Sequence, residues 1–163
     1  MAKQLPTSQV NRAINTSEVG SWSRRWLPWI IVILAFIGFA DAAYLTAEHY
    51  LGGIPTCLIT TGCETVLTSR FATIGPIPVA LLGALYYLVV FLLAMTVTNL
   101  NDRPNVSSLR LLTFLTGLGF LASVGFVYIQ VAVLQALCIY CLVSAGTTTL
   151  LFVSSIGMLR QEK

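Results

Sequence analysis

The sequence predicts an all-α integral membrane protein: a four-transmembrane-helix bundle with an outward-facing loop or half-helix between helices 1 and 2. Of the 163 residues, 56% are hydrophobic and only 9% are charged, whereas a soluble domain is about one quarter charged. The apolar residues form runs long enough to cross a bilayer, which takes about 20 residues. A soluble bundle of this length has too small an interior to bury so much apolar surface.

The first half of the chain contains two predicted spans. A polar tail at 1–25, which we expect to be disordered, precedes a span at 26–50. That span is too long for a signal-peptide core, which extends to about 15 residues. Residues 51–77 are broken by glycine and proline, and "CETVLTS" within them is a candidate short helix at the membrane interface. The second span is predicted at 78–98.

The second half contains a run without charge, from residue 111 to residue 159. This run is too long for a single crossing. We interpret it as two helices with a tight turn between them, near Gln130 and Gln135. The third span is then at about 110–130 and the fourth at about 134–157.

The basic residues predict the orientation in the membrane. Eight of the nine Lys and Arg residues lie in the tail at 1–25, in the region 99–110 or in the end segment 160–163, and only Arg70 lies in the loop 51–77. Cytoplasmic segments carry such an excess. We therefore expect both termini to be cytoplasmic in an inner or plasma membrane, with all four cysteines facing the exterior. In bacteria that side is oxidising, which favours disulfides.

Two of the cysteines, Cys138 and Cys141, lie one helical turn apart in "ALCIYCLVS". Residues with this spacing share a helix face, about 5–6 Å apart, within reach of a disulfide. Such a bond closes too small a loop to stabilise the protein much, but a strained bond is easily reduced. The start of a helix also lowers a thiol pKa. The spacing favours a redox couple, and two buried cysteines acting as small apolar side chains are the plainer alternative.

The other two cysteines, Cys57 and Cys63, lie in the glycine-containing loop. There they can meet a water-soluble partner, while the helix pair lies at membrane depth. Thiol–disulfide exchange between the pairs would run through mixed disulfides. Two dithiols at two depths therefore suggest a relay between water and bilayer. A permanent Cys57–Cys63 staple and a zinc site built from four thiolates are the alternatives.

The order of these features resembles the bacterial form of the vitamin K epoxide reductase family. A wide cysteine pair follows the first span, then comes "SRFATIGPIP", then CxxC in the fourth span. The resemblance covers roughly residues 26–157, within a transmembrane domain assigned to 26–159. Its specific residues are Cys57, Cys63, Ser69, Phe71, Gly75, Pro78 and the "CIYC" motif.

The resemblance implies a four-helix bundle around a quinone, with a half-helix loop over the outer mouth. Cys138 and Cys141 would form the active-site pair, with Cys141 next to the quinone ring and Cys138 exchanging with the loop. Cys57 and Cys63 would form the shuttle pair, with Cys57 meeting the external partner and Cys63 passing electrons inward. Ser69 would lie near the active-site sulfurs.

The implied function is a quinone-dependent thiol oxidoreductase that generates disulfides for oxidative protein folding. Its electron donor would be a separate thioredoxin-like or DsbA-like extracytoplasmic protein. Its acceptor would be ubiquinone, menaquinone, or a related naphthoquinone or plastoquinone. We expect a monomer without metal, flavin, NAD or nucleic acid, and an epoxide substrate stays open.

Two other functions remain as alternatives. A DsbB-type disulfide-generating protein also has four spans, but its CxxC precedes the wider cysteine pair, in the reverse order to this chain. A non-enzymatic membrane scaffold or metal carrier would hold the cysteines incidentally.

Further polar and aromatic residues are candidates for the quinone pocket, namely Phe71, Asp41, Tyr86 and Tyr87. A carboxylate within a span is costly and is usually functional or paired, so Asp41 either holds a proton for quinone reduction or bonds to a neighbouring segment. The tyrosine hydroxyls are possible donors to a quinone carbonyl. Tyr140 lies between the helix cysteines and, by helical spacing, points away from both.

Overall fold

The structure, a computed structural model, describes residues 7–53, 62–98 and 106–161, with side chains from residue 26 onward. Its elements in chain order are α1 (Thr7–Leu51), α2 (Cys63–Leu67), β1 (Thr73–Ile74), β2 (Ile77–Pro78), α3 (Val79–Thr98), α4 (Val106–Tyr128), a π-helical segment (Ile129–Leu134) and α5 (Ile139–Gln161). Helices make up most of the described residues. The two short strands form an antiparallel hairpin in which Thr73 faces Pro78, and this hairpin leads the loop directly into α3.

Among the described residues, four helical segments are long and apolar enough to cross a membrane: Trp26–Leu51, Val79–Thr98, Val106–Leu134 and Ile139–Gln161. The predicted fold class is therefore confirmed, with α2 as a short helix between the first and second spans. Large apolar side chains on the outside of the bundle remain exposed, among them Leu85, Phe114, Leu121 and Val153. Side chains of this kind suit a lipid surface, which offers no hydrogen-bond partners.

The first helix begins earlier than the sequence indicates. Residues 7–25, which we expected to be disordered, continue α1 towards its N-terminus. A polar composition does not oppose helix formation when a stable helix is already present next to it, because adding residues to a formed helix avoids the cost of nucleation.

The connection between the third and fourth spans also differs from the expectation. The third span continues through the π-helical segment to Leu134, so the link comprises residues 135–138 and the last helix begins at Ile139. Gln135 has a left-handed backbone with φ of 50°, which ends the segment. The N–H groups of Gln135 and Ala136 both point to the Gln130 carbonyl, the latter at 3.1 Å. Residues 126–145 contain no glycine or proline that would have marked this turn.

The bundle is held together mainly by α1, which packs against both α3 and α5, and by α4, which packs against α5. The core contains fully buried apolar side chains from all four helices, including Ala35, Val90, Leu112 and Leu151. Hydroxyl groups also link helices within it, as between Thr116 and Ser155 at 2.9 Å. Small residues and interhelical hydrogen bonds are the usual means of helix packing in lipid.

Candidate functional site

A cavity of about 940 Å³ lies between the helices and beneath the loop that follows α2. All four spans and the loop contribute to its wall. A cavity of this size and mostly apolar character is typical of a small-molecule site. The following residues predicted for the site lie on its wall: Asp41, Ser69, Phe71, Tyr86, Tyr87 and Cys141.

Cys138 and Cys141 are free thiols on either side of the start of α5. Cys138 ends the link and is fully buried, and its carbonyl accepts the N–H of Leu142 at 3.1 Å. Cys141 lies one turn further on, at the cavity wall. The pair is therefore arranged so that one sulfur faces the cavity and the other lies behind it.

Hydrogen bonds lower the pKa of the Cys138 thiol, which lies in the link just before α5. A hydrogen bond with the Cys141 side chain, supplemented by backbone hydrogen bonds from Cys141 and Tyr140, lowers the pKa of Cys138 from 9.0 to about 7, although its burial acts in the opposite direction. Free N–H groups at a helix start favour negative charge. The hydrogen bonds therefore favour the thiolate of Cys138, and thiolate is the form that attacks disulfides.

The loop brings a third cysteine to this place. Cys63 begins α2, is 1% exposed, and packs in one cluster with Val66 and Cys138. It is disulfide-bonded. Cys57, the other predicted shuttle residue, lies outside the described residues. The structure thus places one cysteine of the loop beside the buried cysteine of the helix pair.

Gly62 explains how the loop approaches so closely. A Cβ atom at this position would lie 2.7 Å from both the backbone N and the backbone O of Leu137, closer than atoms can pack. The backbone conformation of Gly62 is an ordinary one, with φ of −88°. Glycine is therefore needed here for space, because the residue before Cys63 lies against the residue before Cys138.

Gln130 is a site residue whose role the sequence did not indicate. It is 2% exposed, and its side-chain oxygen accepts the backbone N–H of Cys138 at 3.1 Å. It also lies on the cavity wall, as does Cys141. In the sequence, Gln130 stands out as a polar residue within an uncharged run, but this feature was used only to locate the turn between the third and fourth spans.

The two tyrosines of α3 differ in their hydrogen bonding. The Tyr87 hydroxyl donates to the Ser144 carbonyl at 2.9 Å and also contacts the hydroxyls of Ser144 and Thr148, at 2.8 and 3.1 Å. The buried Tyr86 hydroxyl has no hydrogen-bond partner among the described residues. Tyr87 therefore holds α3 to α5, whereas Tyr86 offers a free polar group beside the cavity.

Asp41 is a carboxylate on the cavity wall. Its Oδ2 atom is buried and has no hydrogen-bond partner in the described part of the chain. An unpaired buried polar atom is costly, and such atoms in native proteins call for an explanation. The alternative that Asp41 simply bonds to a neighbouring segment through this oxygen finds no support in the described residues.

Residues of the loop between α2 and β1 also line the cavity. The Ser69 hydroxyl donates to the Val66 carbonyl at 2.7 Å, which caps the end of α2. The Arg70 guanidinium lies 5.0 Å from the centre of the Phe71 ring. Tyr140, predicted to point away from the cysteines, packs against Tyr44 of α1, with ring centres 5.7 Å apart.

No group of three or more His, Cys, Asp or Glu side chains is placed to hold a metal ion within residues 7–53, 62–98 and 106–161. The four-thiolate zinc site considered from the sequence includes Cys57, so it lies partly outside this range.

The fold and the site define a multi-pass membrane protein with a dithiol at the wall of a buried cavity. A family model described as the vitamin K epoxide reductase family matches residues 29–156. The chain belongs to this family. Membership makes it a membrane oxidoreductase of the thiol–disulfide kind, in a family that is linked to quinones and generally works with thioredoxin-like partners.

Proposed function

We propose that this protein is a quinone-dependent thiol oxidoreductase that generates disulfides for oxidative protein folding. Electrons would pass from a thioredoxin-like partner to Cys57 and Cys63, then to Cys138 and Cys141, and then to a membrane quinone. One observation carries the proposal: Cys141 lies on the wall of the cavity while its neighbour Cys138 packs against Cys63 of the loop. Cys141 would thus react with the quinone, and Cys138 with Cys63 of the loop.

The transfer between the pairs follows from this arrangement. In the reduced loop, the Cys63 thiolate attacks the Cys138 sulfur of the Cys138–Cys141 disulfide. A Cys63–Cys138 bond forms and Cys141 leaves as a thiolate, as in any thiol–disulfide exchange. Cys57 then attacks Cys63, which restores the loop disulfide and releases Cys138. The low pKa of Cys138 supports this last step, since a more acidic thiol leaves faster.

The final step returns the helix pair to the disulfide. Cys138 and Cys141 together lose two electrons and two protons as their S–S bond forms, and the quinone gains both and becomes quinol. The described state, with Cys63 in a disulfide and the helix pair as thiols, is the one that directly precedes this step. No metal or flavin is required for the balance.

The cavity suits a quinone ring on three counts. Its walls are mainly apolar, its volume of about 940 Å³ accommodates the ring, and the unpartnered Tyr86 hydroxyl is a donor for a carbonyl oxygen. Asp41, with its unpartnered oxygen on the same wall, is the proposed holder of a proton for the quinol.

The orientation is part of the proposal. The excess of Lys and Arg in the tail, in the region 99–110 and at the end of the chain supports cytoplasmic termini. The loop with Cys57 and Cys63 is then exterior, where its partner would be a thioredoxin-like or DsbA-like protein.

The function is tested with purified protein in detergent, a short-chain ubiquinone or menaquinone, and a reduced thioredoxin-like protein. We expect the loss of quinone absorbance to match the oxidation of the partner, one quinone for each disulfide formed. Cys141→Ala should stop both. Cys57→Ala should stop oxidation of the protein partner but preserve slow oxidation of dithiothreitol, which can reduce the helix pair directly.

Two outcomes would contradict the proposal. The first is a wild-type protein that oxidises the partner without consuming quinone. The second is a Cys141→Ala variant that retains the wild-type rate of quinone reduction.

A further inference from the structure

The ring of Tyr86, on the cavity wall, packs against a glycine of the next helix. A Cβ atom at Gly119 of α4 would overlap the Tyr86 hydroxyl and the ring carbon that carries it, and would lie 2.9 Å from the Thr148 methyl group. All three residues line the cavity. The tip of the Tyr86 ring therefore occupies the space that a side chain at position 119 would need.

We propose that Gly119 determines the width of the quinone cavity and so admits a quinone with two fused rings, a naphthoquinone. The inference rests on the proposed function and deepens it, because it names the class of acceptor. Gly119 acts through Tyr86. Because position 119 has no side chain, the tyrosine ring lies against α4, and the space between the helices stays free for the ligand.

Close packing of two helix backbones does not explain this glycine. Small residues in membrane helices commonly let two backbones approach, and the missing Cβ atom would then meet backbone atoms. The three atoms nearest to a Cβ atom at Gly119 all belong to side chains. At Gly62, by contrast, they are backbone atoms of residues 136 and 137. Gly119 thus makes room for a ring.

The neighbouring tyrosine shows why the Tyr86 ring is the one that can move. Tyr87 also lies against a glycine, Gly38 of α1, but hydrogen bonds to α5 hold its hydroxyl. The Tyr86 hydroxyl has no partner among the described residues. The two rings lie edge to face with centres 5.1 Å apart, so the open side of the Tyr86 ring is the cavity. A methyl group at position 119 would therefore displace this ring into the cavity.

The displaced ring would occupy the room that the second ring of a naphthoquinone needs. A benzoquinone and a naphthoquinone present the same pair of carbonyl oxygens, so the two ligands differ mainly in width. A change of one methylene group in an apolar pocket alters the discrimination between ligands about 10- to 200-fold. Displacement of a whole aromatic ring should reach at least the lower of these values.

The test measures the binding of two quinones to the full-length protein in detergent. One is a plastoquinone-type benzoquinone, and the other is a menaquinone with the same short isoprenoid chain. The protein is oxidised beforehand, so that the helix pair is a disulfide and has no electrons to transfer. The rise in melting temperature with quinone concentration gives a dissociation constant for each ligand.

The wild type should bind the menaquinone at least as tightly as the benzoquinone. Gly119→Ala should fold, because alanine is a better helix former than glycine. It should weaken menaquinone binding by about tenfold or more and change benzoquinone binding much less. Gly125→Ala, on the same helix, is the matched control, because a Cβ atom there meets nothing within 4 Å. It should match the wild type.

A second substitution tests whether Gly119 acts through the tyrosine. Tyr86→Leu in the Gly119→Ala protein removes the displaced ring, and it removes the hydroxyl for both quinones alike. The ratio of the two dissociation constants should therefore return to the wild-type value. A ratio that stays at the Gly119→Ala value would contradict a role through Tyr86.

Three further results would overturn the inference. They are a wild type that binds the benzoquinone but not the menaquinone, equal effects of Gly119→Ala on both ligands, and a Gly119→Ala protein that does not fold, since packing would then account for the glycine. A wild type that binds neither quinone would overturn the proposed function itself, and this inference with it.

Discussion

The two ends of the bundle are built from the same four helices but are packed very differently. One end is tightly packed. It is formed by the first half of the apolar part of α1, the last half of α3, the first half of α4 and the last half of α5. Its buried apolar side chains are 0–2% exposed: Ile31, Val90, Ala94, Leu109, Leu112 and Leu151. At the other end, the complementary halves enclose a cavity of about 940 Å³. The packed end can hold the helices together while the other end stays open for a ligand.

The buried side-chain atoms that lack a hydrogen-bond partner follow the same division. At the packed end, the Thr116 and Ser155 hydroxyls satisfy each other. At the cavity end, Asp41 Oδ2 and the Tyr86 hydroxyl are buried without a partner in the described residues. The contrast suggests that the packed end serves stability and the cavity end serves chemistry, and the substitutions below test this division.

The largest expected effects are a loss of activity at the cavity end and a loss of stability at the packed end. Cys141→Ala should reduce quinone reduction to background with little change in melting temperature, because it removes one sulfur from a cavity wall. Leu151→Ala should lower the free energy of unfolding by about 2–5 kcal/mol, as for other buried leucines, but leave the rate per folded molecule near wild type. Rates normalised to folded protein check both, and a Leu151→Ala variant with an intact fold and no activity would break the division.

Asp41→Asn should have the next largest effect. If the carboxyl group supplies a proton during quinol formation, its replacement by a neutral amide of the same shape should slow quinone reduction by about 100-fold, within the usual range for a general acid. Because the charge of Asp41 raises the pKa of Cys138, alkylation of that thiol should not slow in the variant. The measurement is stopped-flow oxidation of reduced protein by quinone.

Glu48→Gln is the matched control for Asp41, because Glu48 lies two turns further along α1 and also borders the cavity. It should retain most of the activity. Equal losses in both variants would indicate a general effect of charge near the cavity and not a specific proton donor.

Gly62→Ala tests the contact between the loop and the helix pair. The added methyl group must displace the backbone of Leu137 or of the loop, which moves Cys63 away from Cys138. We expect the exchange between the pairs to slow by about tenfold or more, because small misplacements of reacting groups are costly. Trapping of the mixed disulfide in a Cys57→Ser background measures the rate: the Cys63 thiolate attacks the Cys138–Cys141 disulfide, Cys141 leaves as a thiolate, and no Cys57 is present to resolve the product.

Gly125→Ala is the control for this effect, since a Cβ atom at Gly125 meets nothing within 4 Å. It should leave the trapping rate unchanged. A Gly62→Ala protein that forms the mixed disulfide as fast as the wild type would show that the close backbone contact is dispensable.

The smallest effects are expected at the tyrosines. Tyr86→Phe removes a hydroxyl without a described partner, so it should leave stability unchanged and raise KM for the quinone by about threefold to tenfold, the value of one ordinary hydrogen bond. Tyr87→Phe removes the bonds to Ser144 and Thr148 and should lower the free energy of unfolding by about 1 kcal/mol. Thermal unfolding and quinone titrations of both variants check these predictions. A Tyr86→Phe variant that loses stability and a Tyr87→Phe variant with a raised KM would contradict the assignment of quinone binding to Tyr86.

The sequence was sufficient for the number of spans and for the family, because both depend on local patterns: long apolar runs and a short set of motifs. It also led to Asp41, Ser69, Phe71, Tyr86, Tyr87 and Cys141, which all lie on the cavity wall, although their roles remain predictions. Its boundaries were less accurate at the link before α5, where the π-helical segment has no residue pattern of its own.

Composition and the spacing of apolar, basic and cysteine residues were enough to establish what kind of protein this is, since burial in lipid constrains each span separately. The positions of Gln130 and Gly62 became meaningful only in three dimensions. A hydrogen bond from Cys138 to Gln130 and a backbone contact between Gly62 and Leu137 join residues that are distant in the chain or separated by a turn. Such contacts depend on how the helices and the loop pack against one another, and no local pattern of amino acids records them.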